Sequence, residues 1–419
     1  MRKAASACLI GSVSLRMFPR MYKVAKILTR RGVRVRAICI STRAHESTLP
    51  EEEVVDGIRV REIRPILLPL IRTLKLIPAA LLLSYPRAIA EILRGQDDVY
   101  HFFHLYTLVL APFVKLLKRK LVFYDGIENY PYSMSESLAS WFRLLRWGLA
   151  KKLIYGAVRA LEMWLIRNFV DQVFTVDIVG DILYKRYKRV ADKVVVIKNV
   201  PEAEASIDEE LRRELLRKYA GYKLVVYVGA VNKDRGCLVM VKAVKEVSSK
   251  VPNVKLLLIG PVTDEEFMEE AAEFIKEHGL EEHIDFIGPI PYTKIHTYLH
   301  IGDVALALFQ PDTQYLLSRG SAKLFLYMRA GLPIIVSDFP GMRAIVEKAR
   351  CGILVNPTDV SAVAEAIIKL LKDVELARMM GENGRRAVLS EYNLALEEEK
   401  IFHAYKERLG WRFETRGGG

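Results

Sequence analysis

Two short stretches combine glycine, serine and cationic residues in patterns suited to holding a phosphorylated ligand. In Gly320–Asp338 (GSAKLFLYMRAGLPIIVSD) a Gly-Ser pair opens a helical run that stops at Gly331–Leu332–Pro333, ahead of an apolar strand. Free N–H groups and a positive dipole end at Ser321 suit a diphosphate, and Lys323 in the first turn adds a positive charge. In Tyr227–Gly236 (YVGAVNKDRG) a strand ends at Gly229, and a polar turn leads past Arg235 and Gly236 into another helix. Glycines let the backbone approach a ligand, and a guanidinium grips phosphate oxygens in pairs. Each pattern has a plainer counterpart: a capped helix with a solvated lysine, and an ordinary strand-to-helix loop.

In the N-terminal half, His101, His104, Asp125 and Glu128 stand at or just after the ends of apolar runs. Such residues can polarise a hydroxyl; they also cap helices or pair inside a core. Cys8, Cys39, Cys237 and Cys351 lie far apart, with no CxxC pair and no Cys/His ligand spacing. Neither a zinc site nor a disulfide framework is expected from them.

The elements that must position these residues are legible as apolar runs. Ala4–Ile10, Val33–Ser41, Gly57–Ile63, Val99–Phe103, Leu121–Tyr124, Gln172–Val176 and Val194–Ile197 read as strands of one sheet. Leu224–Val228, Val254–Ile259, Ile284–Ile287, Val304–Leu308, Ile334–Val336 and Gly352–Val355 read as strands of a second. Helical stretches separate most of them, the pattern of doubly wound α/β sheets. The expected architecture is two Rossmann-like domains facing across a cleft, residues 1–200 and 201–385. A C-terminal helix over 386–410, able to cross back to the first domain, and a tail over 411–419 complete it. Open α/β sheets bind ligands at the carboxyl ends of their strands.

The 419 residues carry a formal charge of +13, unevenly spread. Residues 1–200 hold 34 Lys/Arg against 17 Asp/Glu, giving +17; residues 201–419 hold 29 against 33, giving −4. The basic residues are interleaved with long aliphatics and form no reading motif, which argues against nucleic acid as a partner. No run reaches the ~20 apolar residues of a membrane span. Leu76–Pro86 is free of charge for 11 residues, and Val99–Val114 for 16 with two histidines among them. The opening MRKAASACLIGSV reads as a buried first strand rather than a signal peptide, its apolar run being broken by Ser6, Gly11 and Ser12. Ile63–Leu93 is too apolar for a surface connection, and Trp141–Phe169 mixes Trp141, Trp147 and Trp164 with six basic residues against Glu162 alone. Such mixtures suit a bilayer interface, so peripheral membrane contact is expected.

Taken in order, these stretches resemble the retaining family-4 (group 1) glycosyltransferases of the GT-B fold. The likeness rests on G-x5-R-G after a strand, then S-x-K-x-x-x-Y-M-x-x-G-x-P-I-I, then CGILV-x-P-x-D. DVYHFFHLYTL (98–108), FYDGIENYP (123–131) and VIKNVPE (196–202) carry it into the first half. The resemblance implies a hexosyltransferase-type enzyme that moves a sugar from a UDP- or GDP-linked nucleotide sugar to a glycan or lipid-linked acceptor. It implies no cofactor beyond that co-substrate and no metal, in keeping with the lack of an Asp-x-Asp pair. The donor diphosphate would lie against Gly229, Arg235, Gly236, Ser321 and Lys323. The acceptor-side loop would contain Gly11, and His101, Asp125 and Glu128 would be the catalytic candidates. The implied location is cytoplasmic, peripheral on the inner face of the cell membrane.

The sequence departs from that family pattern at defined places. An acidic residue of the K-x-x-E-Y-M segment is Leu326 here, and its acidic partner position is Ser318. The arginine after the strand-end glycine is Ala230, the histidine of Y-D-x-H-E is Ile127, and H-x-H-D reads Phe103 and His104 at its last two positions. These replacements also fit a second reading, a GT-B subunit without catalysis that serves as a binding partner or membrane-associated scaffold.

Overall fold

The computed structural model describes residues 4–40, 50–64, 77–141, 148–176, 188–204, 206–311 and 322–410. They form two compact units, Met1–Lys198 with Glu397–Gly419, and Asn199–Leu396.

The first unit is built on eight strands: β1 (Ser6–Gly11), β2 (Arg34–Ile40), β3 (Glu52–Val55), β4 (Ile58–Ile63), β5 (Val99–Phe103), β6 (Leu121–Gly126), β7 (Gln172–Thr175) and β8 (Val194–Val196). Their order across the sheet is β3-β4-β2-β1-β5-β6-β7-β8. All neighbours are parallel except β3 and β4, an antiparallel hairpin. Its turn is Asp56–Gly57, both at positive φ (49° and 80°), the dipeptide that a two-residue hairpin loop favours. Strand β3 is absent from the sequence reading because three consecutive glutamates, Glu51–Glu53, mask its short alternation.

Central strands β1 and β5 are buried along their whole length, as expected of strands covered on both faces. Cys8, Ile10, Tyr100, Phe102, Val122 and Tyr124 form the centre of one core layer. Helix α1 (Pro19–Arg30) starts with proline at its first position and buries Met21, Val24, Ile27 and Leu28. Helix α2 (Ile77–Arg94), a π-helical turn at Val114–Lys118 and helix α3 (Gly148–Phe169) complete the parts used below.

The second unit holds six parallel strands: β9 (Lys223–Val228), β10 (Val254–Ile259), β11 (Ile284–Gly288), β12 (Val304–Ala307), β13 (Ile334–Ser337) and β14 (Gly352–Val355). Their order is β11-β10-β9-β12-β13-β14. Apolar layers cover both faces, one around Val225, Met240, Leu258 and Ile367, the other around Val226, Leu257, Leu324 and Met328. Helices α4 (Cys237–Lys250), α5 (Ala322–Ala330) and α6 (Val374–Ser390) belong to this unit.

The expected single helix over 386–410 is two. Helix α6 ends at Ser390, and helix α7 (Leu394–Leu409) starts four residues later. Asn393 makes the break: its Nδ2 donates to the carbonyls of Val388 (3.0 Å) and Leu389 (2.9 Å), while its Oδ1 accepts from Leu396 N (3.3 Å). One side chain thus closes one helix and caps the next. From Glu397 onward α7 is part of the first unit, where Tyr405 is fully buried.

Each sheet reverses direction beside its first strand, between β1 and β5 in the first unit and between β9 and β12 in the second. At such a switch point the connections leave on opposite sides and open a crevice at the carboxyl ends of the strands.

Candidate functional site

The switch point of the second unit collects four of the residues expected at the donor diphosphate. Gly229 follows strand β9 directly, with φ of 141°. A Cβ there would sit 2.6 Å from both Cε and Nζ of Lys323, so glycine is what lets that lysine lie across the strand end. Gly236, with φ of 71°, joins the turn Lys233–Arg235 to α4; its Cβ would meet the Leu308 carbonyl oxygen at 2.0 Å. At Gly236 a side chain would collide with backbone, and at Gly229 it would displace the end of Lys323 from a backbone conformation that other residues rarely adopt.

The turn between these glycines is held from several sides. Asn232 Oδ1 accepts from Arg235 N at 3.0 Å, and the Asp234 carbonyl accepts from Gln310 N at 3.0 Å. Gln310 Nε2 donates to the Pro357 carbonyl at 3.0 Å. Arg235 then lies over the ring of Phe309, its Cζ 5.2 Å from the centroid. Lys323 lies over the same ring at 5.1 Å and over that of Tyr227 at 4.1 Å. Its Nζ donates to Tyr227 Oη at 2.6 Å, and Tyr227 Oη donates to the Ala230 carbonyl at 2.7 Å.

Two cations sharing one aromatic ring make a strongly positive spot. Burial holds the Lys323 ammonium well below the usual lysine range, and the neighbouring Arg235 charge lowers it further. A bound polyanion would oppose both influences by adding negative charge beside the lysine. Sequence reasoning found the cations and missed Tyr227 and Phe309 as their platform. Both are aromatics at or just past strand ends, a signal that reads equally as core.

Ser321, Gly320 and Ser318 lie outside the described residues, as do residues 65–76, Arg143, Arg146 and Trp147 of the expected membrane segments. Leu326 is 8% exposed and part of the apolar layer of the second unit, so its position is filled by packing. The Ala230 carbonyl is used by Tyr227.

In the first unit the expected catalytic set is redistributed. Asp125, on β6, is 1% exposed and paired with Arg20 of α1, itself 4% exposed, at 2.9 Å between Oδ2 and Nε. Arg20 Nη1 also donates to the carbonyls of Ile197 and Lys198, both at 3.4 Å. Burial raises the Asp125 pKa while Arg20 opposes the rise. The pair ties α1, β6 and the end of the first unit together inside the core. His101, on β5, is wholly buried; its Nδ1 lies 2.8 Å from Tyr405 Oη and its ring stacks on Phe103 at 4.5 Å. Burial keeps its pKa well below the usual value, so it is a neutral core histidine. Asp125 and His101, both expected as catalytic, are thus buried and held by partners within the first unit. Glu128 is exposed in the loop after β6. Gly11 is buried at the end of β1, where a Cβ would lie 2.7 Å from Met21 Sδ.

What sequence reasoning left unassigned at this edge is His104, the residue after β5. It is only half-buried, and its backbone (φ 74°, ψ 150°) occupies a region that is nearly glycine-only and costs about 1–3 kcal/mol for other residues. Its Nδ1 lies 2.8 Å from Ser12 Oγ, the residue after β1.

Among the described residues no group of three or more His, Cys, Asp or Glu side chains is arranged to hold a metal, and no helix is long and apolar enough to cross a membrane.

Residues 208–387, within the second unit, match the family described as glycosyl transferases group 1. Alpha-D-kanosaminyltransferase of Streptomyces kanamyceticus is 22% identical over 203 residues, 48% of this chain and 50% of that protein. The chain spans about half the length of the curated relatives it matches. Likeness of fold extends further. The structure of Anabaena HepE in complex with UDP and glucose aligns with a TM-score of 0.69 at 14% identity, covering 96% of this chain and 99% of that one. WaaG, a glycosyltransferase involved in lipopolysaccharide biosynthesis, aligns at 0.64 with 14% identity over 96% and 99%. The chain thus has the GT-B fold of two Rossmann-like units, and its residues 208–387 are similar to the group 1 glycosyl transferases.

Proposed function

We propose that this protein transfers a sugar from a UDP- or GDP-linked donor, with retention, to a glycan or lipid-linked acceptor. The observation that carries the reading is the cationic spot at the second switch point, where Arg235 and Lys323 share the Phe309 ring and both adjoining turns pass through glycine. A diphosphate is the anion that two adjacent cations suit, and neutralising it is the main task in expelling a nucleoside diphosphate. The UDP named in the HepE complex and the transferase names of the relatives support a nucleotide sugar as the donor. In this reading no metal is required, because the two side chains and the adjoining backbone carry the positive charge.

The reading extends to a membrane surface through the first unit. Helix α2, the turn Val114–Lys118 and helix α3 expose Leu82 (65%), Leu116 (66%), Leu153 (66%) and Trp164 (52%). Lys115, Lys118, Lys151 and Lys152 stand beside them in sequence. Apolar and indole groups that insert, next to cations that meet anionic headgroups, suit an interfacial site. A lipid-linked acceptor and a peripheral position on the cytoplasmic face are part of this reading.

The test is release of free UDP or GDP from a panel of nucleotide sugars, with and without lipid extract as acceptor source. Release that rises with extract supports the transferase. Binding of nucleotide without release on any acceptor would favour the alternative of a subunit that has kept the site and lost the reaction, as Leu326 and Ala230 allow.

A further inference from the structure

Strand β14 ends the second sheet, and among the described strands it pairs with β13 alone. Its register sets Ile334 opposite Gly352 and Val336 opposite Leu354. Ile334 N donates to the Cys351 carbonyl at 3.2 Å, and Asp338 N donates to the Val355 carbonyl at 2.9 Å. Along a strand the polar backbone groups face alternate sides. Cys351, Ile353 and Val355 therefore face β13, while the N–H and C=O groups of Gly352 and Leu354 face outward.

Beside that outer edge lies a groove of about 850 Å³, within the size range of ligand-binding clefts. Gly352 and Leu354 line it, between Val346 and Ala349 of the helix Pro340–Ala349 and Met379 and Ala387 of α6. Helix α6 closes the groove where β14 begins. A Cβ on Gly381 would meet the Gly331 carbonyl oxygen at 1.9 Å, and one on Gly384 would meet Cys351 Cβ at 3.2 Å, so the helix crosses close under the starts of β13 and β14. Two arginines stand at this closed end. Arg350 immediately precedes the strand start, and its carbonyl accepts from Asn383 Nδ2 at 3.1 Å. Arg386 Nη2 donates to Asn383 Oδ1. Among the described residues neither guanidinium is paired with a carboxylate, whereas the other charged groups of the groove are: Lys348 with Glu391, and Glu347 with Arg343.

We propose that this groove takes the C-terminal end of a partner polypeptide, which adds to β14 as an antiparallel strand and sets its terminal carboxylate between Arg350 and Arg386. The closed end selects a chain terminus: a strand running opposite to β14 reaches α6 with its last residue and meets both arginines there. Backbone bonds to Gly352 and Leu354 hold the segment whatever its sequence, and guanidinium groups grip a carboxylate in pairs. Met379, half exposed, offers an adaptable apolar contact to a side chain of the added strand. The walls that flank the edge admit one extended chain and keep out the same edge of a second copy. This groove lies at the amino end of β14, whereas the donor spot lies at the carboxyl ends of β9 and β12, so the inference goes beyond the transferase reading and stands without it.

The experiment selects a library of short random peptides, displayed with free carboxyl termini, on the full chain. The enriched peptide is then synthesised with an N-terminal fluorophore and titrated by anisotropy. The wild type should enrich a consensus and bind it saturably. Amidation of the peptide terminus should weaken binding roughly tenfold or more, and so should the Arg350→Ala, Arg386→Ala double variant, the loss expected for charge-assisted hydrogen bonds. That variant, altered only at exposed side chains, should unfold at the wild-type temperature. N-methylation of the peptide backbone, one residue at a time, should weaken binding strongly at every second residue and little between, as strand pairing requires. No enriched sequence, equal affinity of the amidated peptide, unchanged affinity in the double variant, or an N-methyl profile without alternation would each overturn the proposal. So would a concentration-dependent dimer that the double variant disperses, since that result gives the groove to a second copy of the chain.

Discussion

At the scale of single residues, burial decides which charged side chains hold the fold and which can meet a ligand. Arg20 and Asp125 are both almost wholly buried, and a buried pair broken on one side leaves an uncompensated charge. Arg20→Ala should therefore cost about 3–5 kcal/mol of stability, read by denaturant unfolding. Nucleotide affinity of the fraction that stays folded should not change; a specific loss of binding at full stability would return Asp125 to the site. Lys323 and Arg235 should behave in the opposite way. Either alanine variant should weaken nucleoside diphosphate binding by about 1.5–3 kcal/mol, the usual worth of a charge-assisted hydrogen bond, with little loss of stability. Lys323 also gives the binding a pH dependence. Its pKa is depressed in the free protein, and a bound diphosphate would raise it, so binding takes up a proton. Affinity should fall as pH rises from the depressed free-state value towards the ordinary lysine range. Calorimetry in buffers of different ionisation enthalpy measures that proton directly.

At the scale of elements, helix α3 carries a titratable group whose effect on stability can be signed. Glu162 is 6% exposed, hydrogen-bonded to Tyr124 Oη at 2.8 Å, and burial raises its pKa to about 7 from 4.5. Between those values the folded state binds more protons than the unfolded chain, so stability falls as pH rises through this window. The fall attributable to Glu162 is about 3 kcal/mol, and Glu162→Gln should remove it while keeping a partner for Tyr124. Unfolding curves of the two proteins at pH 5 and pH 8 would separate this contribution from that of other groups; parallel pH profiles would contradict it. Most elements were legible from the sequence because strands buried on both faces appear as unbroken apolar runs, as in LVVYV at 224–228 and VKLLLI at 254–259. Strand β3 was not, since an edge strand of four residues pairs through one neighbour and shows little apolar pattern. The helix break at Asn393 was hidden because its cause, one side chain bonding forwards and backwards, leaves no gap in helical periodicity. The cations of the donor spot were legible through glycine and charge spacing. Their aromatic platform was not, because it joins residues far apart in the chain, Tyr227 and Lys323 being 96 apart.

At the scale of the whole molecule, the chain divides its chemistry between two units of like architecture, a basic half and a nearly neutral one. The charge excess of the first half is interleaved with exposed leucine and tryptophan, which favours a bilayer surface over nucleic acid. The full chain should co-sediment with vesicles containing anionic lipid at low salt, bind weakly to neutral vesicles, and bind less when Trp164 and Leu153 are replaced by serine. Equal indifference to both vesicle types would remove the membrane from the account. The central claim, however, lies in the second unit, at the crevice between β9 and β12. Calorimetric titration of the wild type and the Arg235→Ala, Lys323→Ala double variant with UDP and with GDP tests it most directly. The account predicts saturable binding of one of the two nucleotides by the wild type, with proton uptake at alkaline pH, and its near abolition in the double variant. No binding of either nucleotide at millimolar concentration, or equal affinity in the double variant, would contradict it.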